Sequence, residues 1–104
     1  MKQMTFLEFE GVRDDAMRLI DVRELEEYQA VHVKGAELFE LSRIRRGERP
    51  ELDDRQLVLI CRSGARSAMA AQIFESEGAS EIINVADGTL GAIKAGEQYL
   101  DFSS

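Results

Sequence analysis

The sequence predicts an α/β domain of three layers: a central parallel sheet of about five short strands with helices on both faces. Two observations carry this. Short apolar runs alternate with stretches of helix formers, and the runs Leu19-Ile20-Asp21-Val22, Leu57-Val58-Leu59-Ile60 and Ile82-Ile83-Asn84-Val85 are near-continuous rather than alternating, as strands buried on both faces are. A length of 104 residues with 44% hydrophobic content fits one core and leaves no room for a second, so residues 1–104 are read as a single domain.

Taken in order, Thr5 followed by Glu8 forms a capping box and predicts a helix from about Phe6 to Met17. Leu19 to Val22 is a buried-strand candidate, and Glu24 to Ala30, acidic at its start, a short helix. Gly35 marks a turn, after which Ala36-Glu37-Leu38 forms a brief strand. Ser42 to Arg55 is mostly charged and holds the single proline, Pro50, so it reads as a surface connection, with one or two helical turns over Leu41 to Arg46. The clearest strand, Leu57 to Ile60, runs straight into Cys61-Arg62-Ser63-Gly64-Ala65-Arg66-Ser67 and a small-residue helix through Glu77. Gly78 then stands where a left-handed cap is expected. Ile82 to Val85 is another strand, and Asp87-Gly88 opens a last helix toward Leu100.

The bulk chemistry excludes several functions. Thirteen basic residues stand against 20 acidic ones, a net charge of −7, whereas non-specific nucleic-acid binding needs a basic face. One cysteine permits no internal disulfide, and one histidine beside it makes no Cys/His metal cage, so no metal or cofactor is expected. The start, Met1 to Phe6, lacks the apolar core of a signal peptide, and no run approaches the roughly 20 apolar residues of a membrane span. A reducing cytoplasm, which keeps a lone thiol available, is the expected location.

In open parallel sheets ligands bind beyond the carboxyl ends of the strands, and Cys61 sits at such an end. A free cysteine after an apolar strand is commonly plain packing. A packing cysteine has no need of the polar loop that follows, with its two arginines, two serines and a glycine. Loop amides leading into a helix form an anion-binding nest, which lowers a cysteine pKa from about 8.5 toward neutrality or below. Gly64 lets the loop bend tightly, and Arg62 and Arg66 add positive charge.

The residues Cys61-Arg62-Ser63-Gly64-Ala65-Arg66-Ser67 resemble the active-site loop of the rhodanese family. Leu19 to Arg23 resembles that family's first strand motif, Glu26-Glu27-Tyr28 with His32-Val33-Lys34-Gly35-Ala36 its E-E-Y…G-H-I-P-G-A stretch, and Asn84 to Gly88 its N-x-x-G-G. These blocks follow one another from about Leu19 to Gly96. The departures are Val31, Lys34 and Asp87 where glycine, proline and glycine are usual, and the absence of tryptophan. None touches the cysteine loop.

The resemblance implies a rhodanese-like three-layer fold and a ping-pong sulfurtransferase. Cys61 would take the outer sulfur of an anionic donor such as thiosulfate, hold it as a persulfide, and pass it to a thiol, a protein acceptor or cyanide. The amides from Arg62 to Ser67 would hold the persulfide, with the Ser63 and Ser67 hydroxyls as further donors, and Arg62 and Arg66 would draw the anion against the global charge. Asp21 and Arg23 are expected to brace the loop, and His32 to hydrogen-bond outside the reacting layer. The arginines 43, 45, 46 and 49 are read as a solvated linker, with a docking patch as the alternative. Two rival readings remain. One is a persulfide carrier or a binding or regulatory module of the same fold. The other is a cysteine phosphatase or arsenate reductase, whose C-x5-R cradle needs an arginine where Ser67 stands, since only four residues separate Cys61 from Arg66.

Overall fold

The structure, a computed structural model, describes residues 1–102; positions 103 and 104 of the predicted domain lie outside the described residues. The elements are β1 (Lys2–Met4), α1 (Phe6–Val12), β2 (Met17–Asp21), α2 (Leu25–Ala30), β3 (Val31–Val33), β4 (Glu37–Leu38), α3 (Leu41–Arg45), β5 (Gln56–Ile60), α4 (Ala65–Ser76), β6 (Ile83–Val85), α5 (Gly88–Ala95), a 3-10 turn (Glu97–Tyr99) and β7 (Leu100–Phe102). Five strands form the predicted parallel sheet in the order β1-β6-β5-β2-β4. β3 and β7 pair separately as a two-stranded antiparallel ribbon.

Successive residues of a strand point to opposite faces, and the two cores divide accordingly. Ile20, Val22, Leu57, Leu59 and Cys61 pack with Leu41 and Ile44 of α3 and Ala70, Ala71 and Phe74 of α4. Leu19, Val58, Ile60, Ile83 and Val85 pack with Phe6 and Phe9 of α1 and Ala92 of α5. Cys61 thus follows the central strand and lies on the α3–α4 side. Helix α2 has no fully buried residue; Tyr28 packs against the α1–α5 core, and the Arg66–Glu27 pair fastens the helix to α4.

Two helices end sooner than their patterns predict. The capping box at Thr5 and Glu8 forms, but α1 stops at Val12 rather than at Met17. Asp14 turns the chain, its side chain accepting from Ala16 N–H at 2.9 Å and its carbonyl from Met17 N–H at 3.2 Å, an Asx turn. Met17 is thereby freed to pair with Gln56 in β2. The last helix ends at Ala95 because Gly96, at φ +144°, leaves helical space; Leu100 then opens β7, opposite Val33. Gly78 takes the left-handed conformation expected of it, φ +102°. Among the described residues, no helix is long and apolar enough to cross a membrane.

Candidate active site

The site is built where β5 hands over to α4. Cys61, 1% exposed, begins a three-residue loop that closes on Gly64, the N-cap of α4. Gly64 has φ +97°, and a Cβ there would collide with the carbonyl oxygen of Ala86, so this position requires glycine. The bend aims the Gly64 N–H at the Cys61 Sγ, 3.1 Å away, and the first turn of α4 brings the Ser67 Oγ to 3.3 Å. Burial pushes the Cys61 thiol up. The Ser67 hydroxyl and the backbone N–H groups of Ser67, Ser63 and Gly64 outweigh it, and the thiol lies below its ordinary value of 9.0. The positive end of the twelve-residue α4 points the same way.

The outer side of the loop is fastened to α5. The Cys61 carbonyl accepts from Thr89 N–H at 2.8 Å and from Thr89 Oγ1 at 3.0 Å, and the Arg62 carbonyl accepts from Leu90 N–H at 3.1 Å. Two of the free N–H groups at the start of α5, those of Thr89 and Leu90, are thereby satisfied by the loop itself. Gly88 makes the approach possible: a Cβ there would sit 2.7 Å from the Cys61 carbonyl oxygen and collide with Arg62. Asp87, where the resemblance has glycine, instead accepts from Phe6 N–H at 2.7 Å and caps α1.

Of the residues singled out in the sequence, Cys61, Gly64 and Ser67 come together around the sulfur, with Ser63 contributing its backbone. Arg62, Ser63 and Ala65 are exposed at the rim. The two loop arginines differ. Arg66 makes a two-pronged pair with Glu27 of α2, at 2.7 and 2.8 Å, which holds the Glu27 carboxyl down to about 2. No carboxylate pairs with Arg62 among the described residues, so it is the loop's uncompensated cation. Asp21 and Arg23 form a buried ion pair at 2.8 Å, and the Arg23 Nη2 also donates to the Val31 carbonyl at 2.7 Å, tying β2 to β3. His32 stacks on Tyr28, its Nδ1 2.9 Å from the Tyr28 carbonyl, and makes no hydrogen bond to the cysteine loop. In the arginine-rich connection, Arg43 and Arg46 pair with Glu48, and Arg49 with Glu77.

Residue-by-residue reading missed Glu27, Asn84, Gly88 and Thr89 as parts of the site. Asn84 is 2% exposed and donates to the Gly64 carbonyl at 3.2 Å. The block from Asn84 to Gly88 was the available signal, but only the chain's return past the loop shows what these residues touch.

A family model described as "Rhodanese-like domain" matches residues 8–95. YrkF of Bacillus subtilis, named as a candidate sulfur carrier protein, is 33% identical over 75 residues, 72% of this chain. The chain spans 40% of that relative's length. YqhL of the same organism, which has no assigned function, is 35% identical over 88 residues, covering 85% of this chain and 69% of its own. Among solved structures, a human single-domain sulfurtransferase aligns with a TM-score of 0.76 at 25% identity over 90% of this chain and 96% of its own. A Staphylococcus aureus rhodanese-like protein shares the fold over all of both chains, with a TM-score of 0.81 at 24% identity. The match over residues 8–95 and the shared three-layer fold place the chain in the rhodanese-like domain family.

Proposed function

We propose that this protein is a sulfurtransferase that moves a sulfane sulfur from an anionic, thiosulfate-like donor to a thiol or cyanide through a persulfide on Cys61. The observation that carries the reading is the convergence of the Ser67 hydroxyl and the Gly64 N–H on one buried sulfur, 3.3 and 3.1 Å away. A packing cysteine needs none of them. A reacting one needs them twice, to hold the thiolate and then to hold the negative sulfur of the persulfide.

In the first half-reaction the Cys61 thiolate attacks the outer sulfur of thiosulfate. The new S–S bond forms as the old one breaks, and sulfite leaves with the bonding pair, so charge is conserved and no proton is required. In the second, cyanide or an acceptor thiolate attacks the outer sulfur and the Cys61 thiolate departs. Arg62, exposed and without a carboxylate partner among the described residues, supplies the local attraction for an anionic donor that the net charge of −7 opposes. The membership of the family, the sulfurtransferase fold neighbour and the relative named for sulfur carriage support the assignment. A lone thiol of this kind suits a reducing compartment such as the cytoplasm.

The relative named for sulfur carriage also favours a second reading, a carrier that loads readily and turns over slowly with small acceptors. One experiment separates the two. The reduced protein is incubated with thiosulfate and its intact mass is recorded before and after cyanide, beside Cys61→Ser. The expected result is a gain of one sulfur on the wild type alone, with rapid loss to thiocyanate. Stable loading with slow loss identifies the carrier. If no sulfur loads from thiosulfate or from a persulfide donor, both readings are wrong.

A further inference from the structure

The carbonyl oxygen of Gly64 is crowded with donors. Ala68 N–H, Ser67 Oγ and Asn84 Nδ2 each lie 3.2 Å from it, yet a carbonyl oxygen has only two lone pairs. The Ser67 hydroxyl carries one proton and stands between two acceptors, that carbonyl and the Cys61 Sγ at 3.3 Å. The proton's destination depends on how well the carbonyl is already served.

Asn84 serves it from the neighbouring strand at a cost. Its amide Nδ2 donates to both the Gly64 carbonyl and the Gln3 Oε1, at 3.2 and 2.9 Å, while its Oδ1 is buried with no partner among the described residues. An unpartnered buried acceptor costs about 1–3 kcal/mol. Turning the amide over would not remove that cost, because its oxygen would then face the fixed carbonyl oxygen of Gly64. The orientation is therefore fixed by the need to donate to the loop.

We propose that Asn84 is a positioning residue for the sulfur cradle: with Ala68 N–H it fills the Gly64 carbonyl and so directs the single proton of Ser67 onto the Cys61 sulfur. While Cys61 is a thiol, its S–H is free to donate to the Ser67 oxygen. Once it is a thiolate, the hydroxyl turns to it without leaving the carbonyl bare. Asn84 acts through Ser67 and does not touch the reacting sulfur. The inference rests on Cys61 being the reacting group, but its test does not require sulfur transfer.

The test is the pH dependence of Cys61 alkylation by iodoacetamide, a neutral reagent, in wild type, Asn84→Leu, Ser67→Ala and the double variant. Asn84→Leu keeps the volume and removes the donor; Asn84→Ser, too short to reach the carbonyl, replaces it if the leucine variant does not fold. Asn84→Leu is expected to raise the midpoint by about one pH unit, the effect of weakening one hydrogen bond to a charged group. In the Ser67→Ala background the same substitution is expected to add nothing, because no hydroxyl remains to direct. An equal rise in both backgrounds, or none in either, overturns the proposal. A wild type that alkylates at low pH yet loads no sulfur counts against the sulfurtransferase reading and leaves the role of Asn84 standing.

Discussion

Asp21→Leu is the most informative single perturbation, because it separates bracing β2 against β3 from taking part in the chemistry of the cysteine loop. Asp21 is fully buried and Arg23 is 4% exposed. The carboxylate accepts from Arg23 N–H at 3.1 Å and from the guanidinium at 2.8 to 3.1 Å. Leucine at position 21 leaves the guanidinium buried with the Val31 carbonyl as its remaining partner. An uncompensated buried charge costs about 3–5 kcal/mol, a large part of the roughly 5–15 kcal/mol that stabilises a domain. With a urea m-value near 1.5 kcal/mol/M, the midpoint falls by about 2–3 M. Replacing both partners, Asp21→Leu with Arg23→Leu, is expected to regain most of the loss, since no charge is then stranded. The assay is urea unfolding of wild type, both single variants and the double, with sulfur loading followed at low temperature on the same samples. A brace predicts that loading tracks the folded fraction. The reasoning is refuted if Asp21→Leu costs less than about 1 kcal/mol, or if the double is no more stable than the single. A folded, stable Asp21→Leu protein that loads no sulfur assigns Asp21 to the chemistry instead.

Two further outcomes follow from the loop's geometry. Gly64→Ala forces a Cβ into left-handed backbone at φ +97° and against the Ala86 carbonyl; it is expected to cost about 2 kcal/mol in thermal unfolding and to slow Cys61 alkylation, and normal stability with normal alkylation contradicts it. Glu27→Gln removes the partner of Arg66, and because both side chains are about a third open to water the loss is held to about 1 kcal/mol. The Glu27 carboxyl is lowered from 4.5 to about 2 on folding, so its contribution is present above pH 4.5 and fades as pH falls toward 2; unfolding curves of the two proteins should converge over that window, and a constant gap between them contradicts the pairing.

Much of the fold was legible because its signals are local. The capping box at Thr5 and Glu8, the apolar runs of β2, β5 and β6, and Gly78 each depend on neighbours within a few residues. What was missed depends on distant partners. β1 has two of three residues exposed and becomes a strand only by pairing Lys2 with Ile83. β3 and β7 exist because Val31 meets Phe102 and Val33 meets Leu100, a register that no local pattern in either segment announces. The early end of α1 turned on Asp14, whose side chain competes with the helix for backbone N–H groups.

The same division explains the site. The strand, cysteine, glycine and helix were legible in order, and they position the donors. The distribution of charge was not, because Glu27 lies 39 residues before its partner Arg66. With Arg66 paired to Glu27 and Arg23 to Asp21, the ion pairs near the loop are internally balanced. On the proposed reading the negative sulfur is therefore held by dipoles, above all the Ser67 hydroxyl and the Gly64 N–H. Dipoles act at contact and fall off steeply, so they stabilise a charge already in place but do not gather one from solution. In the proposed reaction those tasks are divided. Capture of an anionic donor rests on the field of Arg62 at the rim, which salt screens. Stabilisation of the persulfide rests on a largely buried cradle, with Cys61 1% exposed, where each hydrogen bond is worth more than at the surface. A protein of net charge −7 can in this way hold an anion firmly while recruiting it weakly, and the same rim cation serves the anionic donor and the anionic acceptor in turn.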